Sequence, residues 1–437
     1  MSTENSVKIA VVGAGAAGCY LAQALQRSLS AAEIVIFDRY ASPFGLIRYG
    51  VAADHQHTKA ITRQFERMFR SPDIRFAGGV HIGEGAEAQL SVNDLAAQFD
   101  AVVLATGRYE DRPLGVLGEE LQGVFGAGAI TRRLNSAPNA TQALDELGDE
   151  IVIVGAGNVA MDVLRFLAKP ASLYAGSDID DEALEEYARG PAKRVTVLSR
   201  SSAAKSAFDP QMLKEIIDLD SVHLTAYGVE SPDGDIDARG SARLELVGSG
   251  NGSSGGSHDV QVDLHFGAEP VELLGDARVT GVALVRQSER VIIDATSVIT
   301  AIGFELGDTR LVSAAWSSEE STDASVFEPS DSGKVAPGVY RTGWLKRGAT
   351  GGVPENRACA KSVAAEIEAD LQSGELAPRS DKAGWVGLPA DVRELAVSYS
   401  DWLRLDEHER AGAGAERVRR KVKTAQDMIR VARGASS

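Results

Sequence analysis

The chain has 437 residues, 44% of them hydrophobic and 24% charged, and a formal net charge of −17. Its length exceeds one ordinary core and points to two or three domains, while its acidity argues against non-specific binding to nucleic acid or anionic membranes, which requires a basic surface. Its two cysteines, Cys19 and Cys359, form no C-x-x-C, which excludes a thioredoxin-type dithiol and a cysteine-ligated iron–sulfur cluster.

Val7–Val12 reads as the first strand. Gly13-Ala14-Gly15-Ala16-Ala17-Gly18 turns it into a helix over Ala16–Leu29, and a second strand follows at Glu33–Phe37. Strand, glycine turn, helix and strand together form a dinucleotide-binding unit. Gly13 permits the tight turn, Gly15 lets backbone amides approach a pyrophosphate, and Gly18 lets helix and strand pack closely. The anion sits at the helix N-terminus, where free N–H groups favour negative charge. Asp38, 20 residues after Gly18, is placed to accept hydrogen bonds from ribose hydroxyls. Cys19, inside this turn, reads as a small packing residue.

Ala101–Leu104 is a further strand, ending in Ala105-Thr106-Gly107. A second unit begins at Ile151–Val154, turns through Gly155-Ala156-Gly157-Asn158-Val159-Ala160 and continues as a helix from about Val159 to Leu167. Its next strand, Arg194–Leu198, arrives late because the acidic stretch Pro170–Gly190 reads as an inserted loop and helix. That strand ends in Ser199-Arg200-Ser201-Ser202, with Lys205 close by. An acid there would select NAD, whereas a guanidinium and hydroxyls suit a 2′-phosphate. NADPH is therefore favoured, and use of NADH stays open.

Strands at Ala242–Val247 and Val260–Phe266 flank the Gly/Ser-rich Gly248–Ser257, which reads as a long hairpin tip. Strands return at Val291–Ile302, closing in Ala301-Ile302-Gly303, and at Val339–Thr342. A helix spans Arg357–Leu371, and Asp391–Arg433 reads as mostly helical and charged. Two glycine fingerprints mean two dinucleotides, and the economical pairing is a resident FAD with an exchanging nicotinamide. The expected fold is α/β, with two interleaved Rossmann-like domains. Residues 1–125 and 325–437 would form the FAD domain, and 126–324 an inserted NAD(P)H domain. The polar start and the lack of any apolar run near ~20 residues give the expectation of a cytoplasmic protein with no membrane partner. No metal site is expected, and the oligomeric state stays open between monomer and dimer.

Longer stretches carry a resemblance. Pro43-Phe44-Gly45-Leu46-Ile47-Arg48-Tyr49-Gly50-Val51-Ala52-Ala53-Asp54-His55, Arg112-Pro113-Leu114 with Gly118-Glu119-Glu120-Leu121, Gly157-Asn158-Val159-Ala160-Met161-Asp162-Val163 and Gly343-Trp344-Leu345-Lys346-Arg347-Gly348-Ala349-Thr350-Gly351 are similar to motifs of the adrenodoxin-reductase family of ferredoxin–NADP reductases, including its actinobacterial members. The likeness spans nearly the whole chain. It implies that Ala17, Asp38, Leu46, Val80, Trp344, Gly351, Gly352 and Val353 touch FAD. It likewise implies that Arg112, Asn158, Val159, Ala160, Arg200 and Gly351 touch NADPH. His55 and Glu215 match a His–Glu pair beside nicotinamide and flavin, as catalytic groups tuning hydride transfer or as a structural pair.

The chain departs from the family in four places. Paired arginines become Arg200-Ser201, a glutamate becomes Met212, and the stretch after Gly351 becomes Gly352-Val353-Pro354-Glu355-Asn356. The aromatic pattern of the region from Gly126 to Asn139 is also lost. The family passes electrons to small acidic iron–sulfur proteins, so a ferredoxin-type acceptor is expected, with a cytochrome P450 beyond it. Candidate docking cations are Lys205, Lys214, Lys346, Arg347 and the run Arg417, Arg419, Arg420, Lys421, Lys423, read as one helix face. Two other readings stay open: a flavin oxidase or monooxygenase-like enzyme, and a non-catalytic electron-transfer subunit.

Overall fold

The computed structural model describes residues 6–29, 31–229, 235–249, 260–307 and 328–434. The chain opens with β1 (Lys8–Val12), α1 (Ala16–Ser28), β2 (Glu33–Asp38), β3 (Ile74–Gly78) and β4 (Ala101–Leu104), then crosses through the two-residue β5 (Glu110–Asp111). A second layer takes β6 (Val124–Gly126), β7 (Glu150–Val154), α2 (Asn158–Ala168), β8 (Arg194–Ser199), β9 (Val222–Tyr227), α3 (Ala238–Ser249) and β10 (Val260–Phe266). An antiparallel meander follows, β11 (Ala268–Gly275), β12 (Val279–Arg286) and β13 (Glu289–Asp294), before β14 (Ser297–Thr300) rejoins the second layer. β15 (Phe304–Glu305) pairs antiparallel with β5 as the chain returns. β16 (Lys334–Ala336), β17 (Val339–Arg341) and α4 (Val353–Ser373) complete the first layer, with α5 (Tyr399–Ala411) among the helices after it.

Two six-stranded sheets result, ordered β16-β17-β4-β1-β2-β3 and β6-β14-β7-β8-β10-β9. Only the β16–β17 pairing is antiparallel among the described strands of these sheets. Parallel strands covered on both faces need apolar side chains on both. Accordingly Ile9 and Val11 enter one core cluster while Ala10 and Val12 enter another. In the second sheet Ile151 and Ile153 face one cluster, and Val152 and Val154 the other. The α/β class and both Rossmann-type units are thus as expected. The first crossing precedes β6, because Val124 and Phe125 already pair with β14. The return boundary at 324/325 lies outside the described residues.

Several local expectations change. Ala242–Val247 is part of α3, not a strand: Gly240, Arg243 and Val247 are buried at helical spacing. Six alternating residues cannot distinguish this period from a strand's, and the expected hairpin disappears. Most of its tip, 250–257, lies outside the described residues. Val291–Ile302 divides between β13 and β14, which belong to different sheets. α4 starts four residues earlier than Arg357, taking Pro354 into its first turn, where a missing N–H costs nothing. The C-terminal segment has helices at Ala390–Leu395, Tyr399–Ala411 and Ala425–Ala432. Residues 412–424 between them are non-helical, so the basic run does not form a helix face. Among the described residues, no helix is long and apolar enough to cross a membrane.

Candidate functional site

Each glycine turn is pressed against the end of the neighbouring strand. Gly13 has φ +109°, and a Cβ on it would lie 2.5 Å from the carbonyl oxygen of Ala105. Gly155 has φ +116°, and its Cβ would lie 2.3 Å from the carbonyl of Ala301. Thus Ala105-Thr106-Gly107 and Ala301-Ile302-Gly303 form walls of the two turns, each in the same relation to its glycine. The turns differ at their third small residue. A Cβ on Gly18 would meet the Gly13 carbonyl at 2.0 Å, whereas Ala160 carries its methyl fully buried at the corresponding place.

Gly15 and Gly157 begin α1 and α2 without a side-chain cap, leaving first-turn amides for an anion. A Cβ on Gly45 would stand 2.9 Å from the Cα of Gly15, so two backbones touch beside the first turn. Asp38 accepts the amides of Ala14 at 2.9 Å and Tyr40 at 3.0 Å. Burial pushes its carboxyl up, against the pull of those amides and the Arg39 guanidinium. Two carboxylate oxygens offer about four acceptor positions, so capacity remains for sugar hydroxyls. Uncapped amides, a half-buried acid and the apolar wall of Leu46 and Val80 fit a dinucleotide at the first turn.

Both turns open onto one cleft of about 2030 Å³, well above the roughly 300–1,000 Å³ of a single ligand pocket. Gly13, Gly15, Ala17, Asp38, Leu46 and Val80 line its first half, with Trp344, Gly351, Gly352 and Val353. Gly155, Gly157, Asn158, Val159 and Arg200 line the second half, with Arg112 between the sheets. Gly18 and Ala160 lie behind the wall and act through packing. Trp344 stacks on Phe304 with centroids 5.7 Å apart, and its Nε1 donates to the Gly351 carbonyl at 3.1 Å. Gly352, exposed at the start of α4, donates its amide to Glu355 Oε2 at 2.8 Å. The Glu355 backbone amide, and then that of Gly352, hold the Glu355 carboxyl below its ordinary range.

His55 and Glu215 meet at the cleft, Nε2 to Oε2 at 3.2 Å. The other ring nitrogen, Nδ1, faces Asp162 Oδ1 at 3.8 Å. Sequence reasoning quoted Asp162 without assigning it a role. Its signal was its spacing, one helical turn after Asn158 and three residues before Arg165. Arg165 holds Asp54 through two bonds of 2.5 and 2.9 Å, and Lys169 adds a third at 2.5 Å. Burial would raise the Asp54 carboxyl, but these cations bring it down to about 2. Burial outweighs His55 and Arg165 at Asp162, whose carboxyl is raised. Gly45, Phe304, Asp162 and Arg239 are cleft residues that sequence reasoning did not single out.

The C-terminal cations are engaged elsewhere. Arg417 and Arg420 bind Asp181, Lys421 binds Asp178, and Lys423 binds Asp180 and Glu182. Arg419 binds Asp406 and Glu409. Lys346 is buried, and Lys214 pairs with Asp218 at 2.6 Å.

Comparison with known proteins fits this architecture. Residues 7–229 match the family model described as pyridine nucleotide-disulphide oxidoreductase. The chain is 37% identical to cindoxin reductase of Citrobacter braakii, covering 98% of this chain and 92% of that one. It is 31% identical to a probable ferredoxin/ferredoxin–NADP reductase of Mycobacterium leprae, over 98% and 78% of the two chains. The solved structure of Mycobacterium tuberculosis FprA in complex with NADPH superposes with a TM-score of 0.85 at 26% identity, covering 98% of this chain and 100% of that chain. Disulphide chemistry has no counterpart here, since both cysteines are buried and free. The paired turns, their shared cleft and full-length relatives agree: this chain belongs to the adrenodoxin reductase and FprA-like family of flavoprotein NADPH oxidoreductases.

Proposed function

We propose that the chain is an FAD-containing reductase that takes two electrons from NADPH and passes them singly to a ferredoxin-type iron–sulfur protein, which can supply a cytochrome P450. The carrying observation is that two separate glycine turns, one on each sheet, open onto the same cleft. In this reading the chain up to β5 and again from residue 325 serves FAD, and the segment from β6 to residue 324 serves NADPH. When bound, the flavin supplies the exchange of one hydride for two single electrons.

The protein positions, shields and tunes. The α1 amides and Gly15 hold one pyrophosphate, and Asp38 accepts from the adjoining ribose. Ala17, Leu46, Val80, Trp344, Gly351, Gly352 and Val353 contact the flavin half. The α2 amides, with Gly157, Asn158 and Val159, hold the second pyrophosphate, Ala160 packs behind them, and Arg112 adds a positive charge beside it. Arg200 and its neighbouring serines hold the 2′-phosphate. His55 is held at the cleft between the Glu215 and Asp162 carboxyl groups, which fix the orientation of its ring.

Anaerobic titration of the purified holoprotein tests this reading. Bleaching of an oxidised-flavin spectrum by one equivalent of NADPH supports it, and ferredoxins are then screened as acceptors. A flavin that neither NADPH nor NADH bleaches overturns it in favour of an oxidase or a non-catalytic subunit.

A further inference from the structure

We propose that Asp178 is a positioning residue, the keystone of an ion-pair lock that holds the two sheets at one angle and so sets the separation of the two cleft halves. The covalent crossings between the sheets are slender. They include the two-residue ribbon of β5 and β15, too short to resist rotation by itself. The lock consists of other segments. From the first half, residues 48–59 reach the second: Lys59 Nζ lies 2.6 Å from both Asp178 Oδ1 and Asn135 Oδ1, and Asp54 meets Arg165 on α2 and Lys169 just after it. From the C-terminal end, residues 412–424 run along the second half as a strap. The Gly176 amide donates to the Glu416 carbonyl at 2.7 Å, Val418 to Ser177 at 2.9 Å, and Asn139 to Lys423 at 2.8 Å.

The two segments meet on one carboxylate. Asp178 is 4% exposed and lies between Lys59 and Lys421, whose Nζ is 2.9 Å from Oδ2. Its own amide donates to the Ala53 carbonyl at 3.1 Å, beside Asp54 and His55. The strap's base is held in turn by Glu409, which binds Arg48 and accepts the Val422 amide. A buried carboxylate gripped from two directions has one low-energy arrangement, because each lysine left without it would be an unpaired charge away from water. Exposed arms, Arg420 on Asp181 and Lys423 on Glu182, extend the strap outward. The lock ends next to the His55 cluster, so a change in angle there changes the approach of one cleft half to the other.

The lock's effect on hydride transfer rests on the proposed function, but its effect on geometry does not. The test uses the flavin-loaded protein with spin labels on Glu87→Cys and Asp220→Cys, one exposed site on each half, the native cysteines being buried. Pulsed electron resonance of this protein should give one narrow distance distribution, unchanged by NADP+. Asp178→Asn should broaden it. Should Asp178→Asn not fold, Arg420→Gln with Glu182→Gln, which removes only exposed partners, should broaden it to a smaller degree. In either variant stopped-flow reduction by NADPH should slow by about ten- to a hundred-fold, as misplacement by an ångström can. The KM for NADPH and the flavin content should hardly change. A distribution as narrow as that of the parent in the variants that fold overturns the lock. Failure of NADPH to bleach the parent protein overturns the functional reading and leaves the distance result to decide the lock.

Discussion

Arg200 stands exposed at the rim of the cleft, between Ser199 and Ser201 at the end of β8. A charge-assisted bond to a phosphate contributes about 1.5–3 kcal/mol. Arg200→Ala should therefore raise the KM for NADPH by about ten- to a hundred-fold and hardly alter that for NADH. Steady-state kinetics with both nucleotides checks this, and equal losses would remove Arg200 from the 2′-phosphate. Asp54 gives a pH test. Its folded carboxyl, held at about 2, lies below the ordinary value near 4. Its contribution, about 2–3 kcal/mol, is complete above the ordinary value and disappears as pH falls through the depressed one. Urea unfolding between about pH 5 and 2 should show a shallower loss of stability for Asp54→Asn than for the parent.

At the level of elements, the two glycine turns make a paired prediction. Gly155→Ala drives a methyl into the Ala301 carbonyl at 2.3 Å and demands φ +116° of an alanine. It should abolish bleaching by NADPH while the flavin remains bound. Gly13→Ala, with its methyl at 2.5 Å from the Ala105 carbonyl, should instead yield protein lacking flavin. Absorbance of the two purified variants separates these outcomes. These turns were legible because strand, glycine spacing and helix recur together, a combination local sequence can specify. α3 was not legible: Ala-Arg-Leu-Glu-Leu-Val alternates like a strand, and only packing of Gly240 and Val247 chose the helix. β9, β11 and β12 escaped notice for a related reason, since half-buried strands such as β11 expose several apolar or polar residues irregularly.

At the level of the whole molecule, charge pairing divides the basic residues into two groups. The cations 417–423 were candidates for partner docking by composition, yet their partners are Asp178, Asp180, Asp181 and Glu182 across the domain junction, with Asp406 and Glu409 nearer by. Breaking a buried pair costs more than breaking an exposed one, because the remaining charge stays desolvated. Asp178→Asn should lower unfolding stability by about 3–5 kcal/mol, whereas Lys214→Gln, in an exposed pair, should change it by less than about 1 kcal/mol. Chemical denaturation of both variants measures the difference.

The sequence by itself determined the two dinucleotide turns, their order along the chain and the acid and arginine after each second strand. These depend on backbone sterics and on short runs of neighbouring residues, which a local pattern encodes. Only the tertiary structure decided that both turns share one cleft, that Ala105 and Ala301 back their glycines, and that Asp162 joins His55 and Glu215. It alone turned the C-terminal run from a docking face into a strap. Ion pairs between residues more than 200 positions apart leave no periodicity in the chain, because their geometry is set by how the sheets pack and not by local conformation.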